Sequence, residues 1–228
     1  MKPSFIKNLI EGDKRKLVFM GESGCGKSEM ALNFALSIVK ETQRTVHFFD
    51  MDQSKPMLRS RDVKGMMKDK GIRFHSGEKF LDAPIVPHGV ETILDDDRNL
   101  AILDVGGNAT GAINIGQYAD HLNDRDTAAY FIVNYYRAFS GKQVQVAQTI
   151  DSIKRASGIK RIQIISNPFA GMDASSKDIA YGHEKTSEML ANIGYPVQIL
   201  AVPETICNGG FNGSAKYIIR IRPYMRLI

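Results

Sequence analysis

Eight consecutive residues, Gly21-Glu22-Ser23-Gly24-Cys25-Gly26-Lys27-Ser28, follow the spacing G-x-x-x-x-G-K-[ST]. The chemistry this spacing serves is the capture of a polyphosphate. Glycines let backbone N–H groups curl around an anion, and a helix starting at the end of the loop adds its positive N-terminal dipole. Lys27 supplies a compact charge for the terminal phosphates, and the Ser28 hydroxyl suits a Mg²⁺ ion held between protein and phosphate. With Glu29, the next residue, the loop forms a continuous candidate binding set from Gly21 to Glu29.

Other polar groups stand where such a loop would need them. Asp104 follows the apolar run Leu100 to Leu103 and precedes Val105-Gly106-Gly107. It reads either as a carboxylate on the metal side of the site or as a turn aspartate, and the phosphate loop upstream favours the first. Gly106 and Gly107 fit a loop that moves toward a γ-phosphate, or a plain turn. Asp50-Met51-Asp52 closes a β-rich run, Thr45 to Phe49. One of its carboxylates is expected to face the site while the other turns away. Asp50 joins Ser28 and Asp104 as the metal set, and Asp52 is the candidate for orienting an attacking water. Caps for the next segment are the alternative role of both aspartates. Asn167, after Arg161 to Ile165 and Ser166, offers a donor and an acceptor to a purine edge, or is a turn residue before Pro168. The candidate catalytic set is Lys27, Asp52 and Asp104.

The elements that must hold these groups alternate. Lys16 to Met20 reads as a buried strand, and Lys27 to Lys40 carries apolar residues at helical spacing. Thr45 to Phe49 is a second strand. From Gln53 to about Asn99 the pattern weakens: helix-compatible stretches at Pro56 to Arg61 and Val63 to Lys70 precede loops marked by Gly71, Gly77, Pro84, Pro87 and Gly89. Residues 53–99 are therefore expected to be a switch or inserted region. Leu100 to Leu103 is a third strand, followed by a helical segment, Ala112 to Leu122. Then come strand Tyr130 to Val133 with helix Lys142 to Ala156, strand Arg161 to Ile165 with helix Ser176 to Asn192, and strand Val197 to Ala201. This rhythm predicts an α/β, three-layer, doubly wound and mostly parallel sheet in one domain spanning 1–228. In the tail, 215–228, the alternation Ile219-Arg220-Ile221-Arg222 fits a half-buried edge strand better than a membrane contact.

The whole chain has 228 residues, 43% of them hydrophobic, and a net charge of +5. That suffices for one sizeable core and is ordinary for a folded protein. No apolar run approaches the roughly 20 residues needed to span a bilayer. The residues after Lys2 and Lys7 are interrupted by Asn8, Glu11 and Asp13, unlike a secretory signal, so the expected location is cytoplasmic. The two cysteines, Cys25 and Cys207, read as free thiols because a disulfide at Cys25 would block the loop. The mild basic balance permits nucleic acid without arguing for it. His47, His75, His88, His121 and His183 show no ligand spacing and read as structural or solvated.

Taken in order, the phosphate loop, Asp50-Met51-Asp52, Asp104-Val105-Gly106-Gly107 and Ile165-Ser166-Asn167-Pro168 resemble the ParA/MinD-like ATPases. These are P-loop NTPases of the signal-recognition and MinD class, related to the nitrogenase iron protein and metallocentre-maturation ATPases. The resemblance covers nearly the whole chain. It implies ATP and Mg²⁺ as cofactors, Asp52 as the water-positioning residue and Asn167 as the adenine contact. It further implies a nucleotide-dependent homodimer and a switch acting on a partner protein. Members with a lysine at the second loop position reach across the dimer with it; here that residue is Glu22. No paired cysteines for a metal cluster are present, and Pro223 interrupts the tail where membrane-binding members carry a helix. Two rivals to an ATPase switch follow: a phosphotransferase with a small acceptor under a basic lid at Lys55 to Arg73, and a nucleotide sensor that does not hydrolyse.

Overall fold

The computed structural model describes residues 5–52, 60–76, 89–206 and 215–225. Eight strands form one sheet in the order β3-β2-β4-β1-β5-β6-β7-β8, and every neighbouring pair is parallel. The strands are β1 (Lys16–Gly21), β2 (Thr45–Asp50), β3 (Arg73–Ser76), β4 (Asn99–Asp104), β5 (Thr127–Val133), β6 (Gln163–Ser166), β7 (Val197–Pro203) and β8 (Tyr217–Ile221). All six residues of β1 are buried, as expected for a central parallel strand covered on both faces by crossover helices.

Alternate strand residues feed two cores. Leu17, Phe19, Phe48, Ile102, Tyr130 and Ile165 point to the face covered by α1 (Phe5–Glu11), α2 (Lys27–Ile38) and α3 (Ser60–Asp69). Val18, Met20, Phe49, Leu103, Phe131 and Ile164 point to the opposite face. That face is covered by α4 (Val90–Asp95), α5 (Ala109–Gly116), α6 (Ala119–Leu122), α7 (Gln143–Ser157) and α8 (Ser176–Ala191). The result is the expected three-layer α/β arrangement, with the sheet parallel throughout instead of mostly so.

Three departures from expectation have physical causes. The N-terminal stretch, to which the sequence pattern assigns no element, forms α1 because Phe5 and Leu9 bury against α2 and the sheet; the Phe5 ring meets Phe34 edge-on at 5.9 Å. The region expected to be loops contains β3 and α4. β3 is held by cross-strand ring stacking, Phe74 on Phe48 at 5.7 Å and His75 on Phe49 at 4.5 Å, which no local periodicity displays. The helix expected over Ala112 to Leu122 breaks into α5 and α6, where Gly116 lies so close to α7 that a Cβ there would be 2.9 Å from the Ala156 carbonyl oxygen. Most of Pro56 to Arg61, the first five residues of the expected lid, His88 and Cys207 lie outside the described residues. The tail strand is as expected: in β8, Ile219 and Ile221 are buried while the Arg220 guanidinium reaches the Ile206 carbonyl at 2.9 Å.

Candidate functional site

The C-terminal ends of β1, β2, β4, β5, β6 and β7 open onto one cavity of about 1030 Å³. The loop between β1 and α2 forms its floor. Gly21 makes the turn at φ 140°, packed so tightly that a Cβ would stand 2.5 Å from the Ile132 carbonyl oxygen and 2.9 Å from Cys25 Sγ. Gly24 and Gly26 also have positive φ, at 78° and 98°. Ser23 and Gly24 are exposed, whereas Cys25 is buried, and burial pushes its thiol above the ordinary value. Glu22 faces the loop's lysine: Lys27 Nζ donates to the Glu22 carbonyl at 3.2 Å. Partial burial raises the Glu22 carboxyl while the Lys27 charge opposes that shift.

Lys27 and Asp104 are both buried, at 5% and 3% exposure, which places a cation and a carboxylate together below the cavity surface. Burial pushes Asp104 up to about 7, against the pull of Lys27 and a hydrogen bond from Ser28, while Asp50 and Asp52 push it further upward. Asp104 Oδ1 has no hydrogen-bond partner among the described residues. Asp50 is pushed up to about 6, again chiefly by burial, although its Oδ1 accepts the Asp52 backbone N–H at 3.1 Å. Asp50 and Asp52 both line the cavity, which corrects the expectation that one would turn away. Residues two apart along an extended chain share a face, and Met51 between them fills the opposite core.

The glycines after Asp104 press on the phosphate loop. A Cβ on Gly107 would lie 2.7 Å from both the Cα and the backbone nitrogen of Ser23, and 3.0 Å from Lys27 Nζ. One on Gly106 would lie 2.9 Å from Gly111 Cα, where α5 begins behind the Asn108 cap. Across the loop, Asn167 Nδ2 donates to the Cys25 carbonyl at 2.8 Å, and its amide fills the space above Gly26. Asn167 therefore lines the cavity and also braces the loop. Glu29 lines the cavity and has a second task as well. Its carboxylate accepts the backbone N–H groups of Tyr224 at 2.7 Å and Met225 at 2.9 Å, tying the chain after β8 to the first turn of α2.

A strand-to-helix glycine loop on the central strand of a parallel sheet, with a buried aspartate on the neighbouring strand, is now in view. The chain has the P-loop NTPase fold. The structure of FtsY from Thermotoga maritima matches with a TM-score of 0.54 at 14% identity, covering 86% of this chain and 68% of that one. FtsY from Mycoplasma mycoides gives 0.52 at 12%, with coverage of 86% and 68%. The signal recognition particle receptor FtsY from Elizabethkingia anophelis gives 0.49 at 11%; 86% of this chain is covered, and the chain spans 63% of that one's length. At these identities the likeness is one of fold. No family model and no curated protein sequence matches the chain.

The residues present fit a Mg²⁺ ion. Asp104 Oδ1 is buried without a partner beside the Ser28 hydroxyl, and Mg²⁺ takes one or two protein oxygens together with water and phosphate. No group of three His, Cys, Asp or Glu side chains able to hold a metal by themselves occurs among the described residues. The sequence reading missed Asn134, Arg137 and Phe169, which line the cavity from the loops after β5 and β6. Their one sequence signal is position: both loops follow a strand that carries the sheet away from the phosphate loop. No described helix is long and apolar enough to cross a membrane.

Proposed function

We propose that this chain binds ATP with Mg²⁺ and hydrolyses it, acting as a nucleotide-driven switch on a partner protein. The observation that carries this reading is the convergence of Lys27, Ser28 and the buried Asp104 at the floor of one cavity that Asp50 and Asp52 also line. Backbone N–H groups of the loop and Lys27 hold the phosphates, Ser28 and Asp104 hold the metal side, and Asp52, at the cavity wall, orients the attacking water. Mg²⁺, held by Ser28 and Asp104, would neutralise negative charge on the phosphates.

ATP is favoured over GTP by the far wall of the cavity. Asn134, Asn167, Phe169, Thr205 and Ile206 line it, and no carboxylate does among the described residues. A guanine edge, with two adjacent N–H donors, asks for a carboxylate, whereas an amide pairs with adenine. The switch reading is supported by Gly107, which sits against Ser23 and Lys27 Nζ where a terminal phosphate would press on it. A surface for a partner, or for a second copy in a nucleotide-dependent homodimer, is supported by Ile113, Phe139, Val144 and Met172. All four are at least 60% exposed and belong to segments that follow strand C-termini. The tail, held by Glu29 and β8, gives no support to a membrane role.

The test is calorimetric titration with ATP, ADP and GTP in Mg²⁺, with phosphate release followed in parallel. The parent binds ATP more tightly than GTP and releases phosphate. Lys27→Ala loses most of its affinity, and Asp52→Ala binds but does not turn over. Lys27→Ala binding as well as the parent would refute the cradle, and a phosphorylated small acceptor in place of free phosphate would establish a kinase.

A further inference from the structure

The charge at the cavity is unbalanced for a triphosphate. Among the described residues that line it, the cations are Lys27 and Arg137, against carboxylates from Glu29, Asp50, Asp52 and Asp104. The second position of the loop, which could have supplied another cation, is Glu22. Arg137 is placed to offset this. Its Nε and Cζ lie 3.8 and 3.9 Å from where a Cβ on Gly24 would stand, and apart from the adjoining loop residues no other heavy atom of the described residues comes within 4 Å of that point. The guanidinium thus lies over the middle residue of the loop, where backbone N–H groups turn toward a phosphate chain.

The segment that carries Arg137 is clamped on both sides. The Asn134 side chain is buried; its Oδ1 accepts the Tyr136 N–H at 3.0 Å, and its Nδ2 donates to the Phe169 carbonyl at 3.0 Å. The Tyr136 hydroxyl donates to the Asp178 carbonyl at 2.7 Å, and its ring lies against Gly182 of α8, where a Cβ would be 2.9 Å away. The Arg137 N–H donates to the Asn134 carbonyl at 3.0 Å, and its carbonyl accepts from Ser140 at 2.9 Å. No ion pair occupies the guanidinium among the described residues, so the backbone is fixed while the head is available to a ligand.

We propose that Arg137 is a phosphate-contacting arginine supplied from within the chain, which stabilises charge on the β and γ phosphates as the bond between them breaks. The inference rests on the nucleotide reading of the site. In the hydrolysis step, water oxygen bonds to the γ-phosphorus while the γ-phosphorus–oxygen bond to ADP breaks; the water's proton leaves to solvent or product phosphate. Arg137 transfers nothing. Five N–H donors in a rigid fork suit it to hold charge on two phosphates, as the arginines of other nucleotide hydrolases do.

The experiment compares the parent with Arg137→Gln and Arg137→Lys for ADP affinity, ATP affinity, phosphate release and retention of ADP with aluminium fluoride. Arg137 is exposed on a loop, so both variants are expected to melt close to the parent. Arg137→Gln is expected to keep ADP affinity within about threefold, lose its preference for ATP over ADP, slow phosphate release by about 100-fold or more, and fail to retain the fluoride complex. Arg137→Lys is expected to regain part of the ATP preference through its charge. Turnover and ATP preference unchanged in Arg137→Gln would overturn the inference while leaving the nucleotide site intact. If the parent binds ATP without hydrolysing it, the ATP-over-ADP preference decides alone. A parent that binds no nucleotide would remove the functional reading and this inference together.

Discussion

Asp50 and Asp104 stand opposite each other in the register of two adjacent parallel strands, so their carboxylates reach the same level of the sheet's C-terminal edge on the side of α2. The next backbone bond, from Met51 N–H to the Asp104 carbonyl at 2.9 Å, locks that alignment. Two acids held side by side, one of them almost wholly buried, raise each other's cost of ionisation, and a bound cation would relieve it.

Asp104→Asn should therefore separate stability from function. The amide keeps the shape of the side chain and removes a buried charge that has one oxygen unpartnered. At pH 8 in EDTA the variant is expected to melt about 2–4 °C above the parent, equivalent to about 1 kcal/mol for a chain of this size. Phosphate release in Mg²⁺ is expected to fall to background. A melting point at or below that of the parent would show that ionised Asp104 stabilises the empty protein through Lys27.

Gly107 tests the contact between the loop after β4 and the phosphate loop. A methyl group there meets Lys27 Nζ and, closer still, backbone atoms of Ser23, which cannot swing away. Gly107→Ala is expected to destabilise the protein by about 1–3 kcal/mol and to weaken ATP binding more than tenfold. Thermal melts and titrations check both, and parental ATP affinity would mean that the two loops are not coupled.

The glycine loop, the strand that ends at Asp104 and the alternation of strands and helices were legible because each is a local pattern. A glycine spacing, an apolar run ending in a carboxylate and a helical period are all written within a dozen residues. Arg137 was not legible, because its place depends on a turn closed by the Asn134 carbonyl and on α8 bracing Tyr136 from more than forty residues away. The tail-anchoring role of Glu29 was hidden for the same reason. It adjoins the loop in sequence, yet its partners are backbone groups almost two hundred residues on. β3 carries too few apolar residues to register as a strand until its rings meet those of β2.

The edge formed by β2 and β3 should sense acid. His47 Nδ1 and His75 Nε2 are 2.9 Å apart with their rings stacked, and such a pair needs a neutral ring to accept the bond. Burial, then the neighbouring His75 and Arg73, pull His47 down from 6.5 to about 4; burial and Arg73 also lower His75. Because the unfolded chain takes up these protons first, stability is full above about pH 6.5 and declines as pH falls toward 4. Melting temperature recorded from pH 7.5 to 4.5 is expected to fall more steeply for the parent than for His47→Phe. Parallel curves would take this pair out of the acid response.

The last prediction concerns the tail. Glu29 binds two backbone N–H groups, and Asn33, one turn further along α2, both donates to the Arg222 carbonyl at 2.9 Å and accepts the Arg222 N–H at 2.9 Å. Pro223 and Met225 thereby come to line the same cavity as Lys27 and Ser28. Hydrogen bonds to a charged acceptor are worth about 1.5–3 kcal/mol each, so Glu29→Ala is expected to free this segment and lower the melting temperature by several degrees. Hydrogen exchange at Tyr224 and Met225 is expected to rise at least tenfold while exchange in β1 and β5 stays slow. Since Glu29 directly follows Ser28, ATP in the parent is expected to change exchange at these two amides, and no change on ATP addition would show that the tail is anchored independently of the nucleotide site.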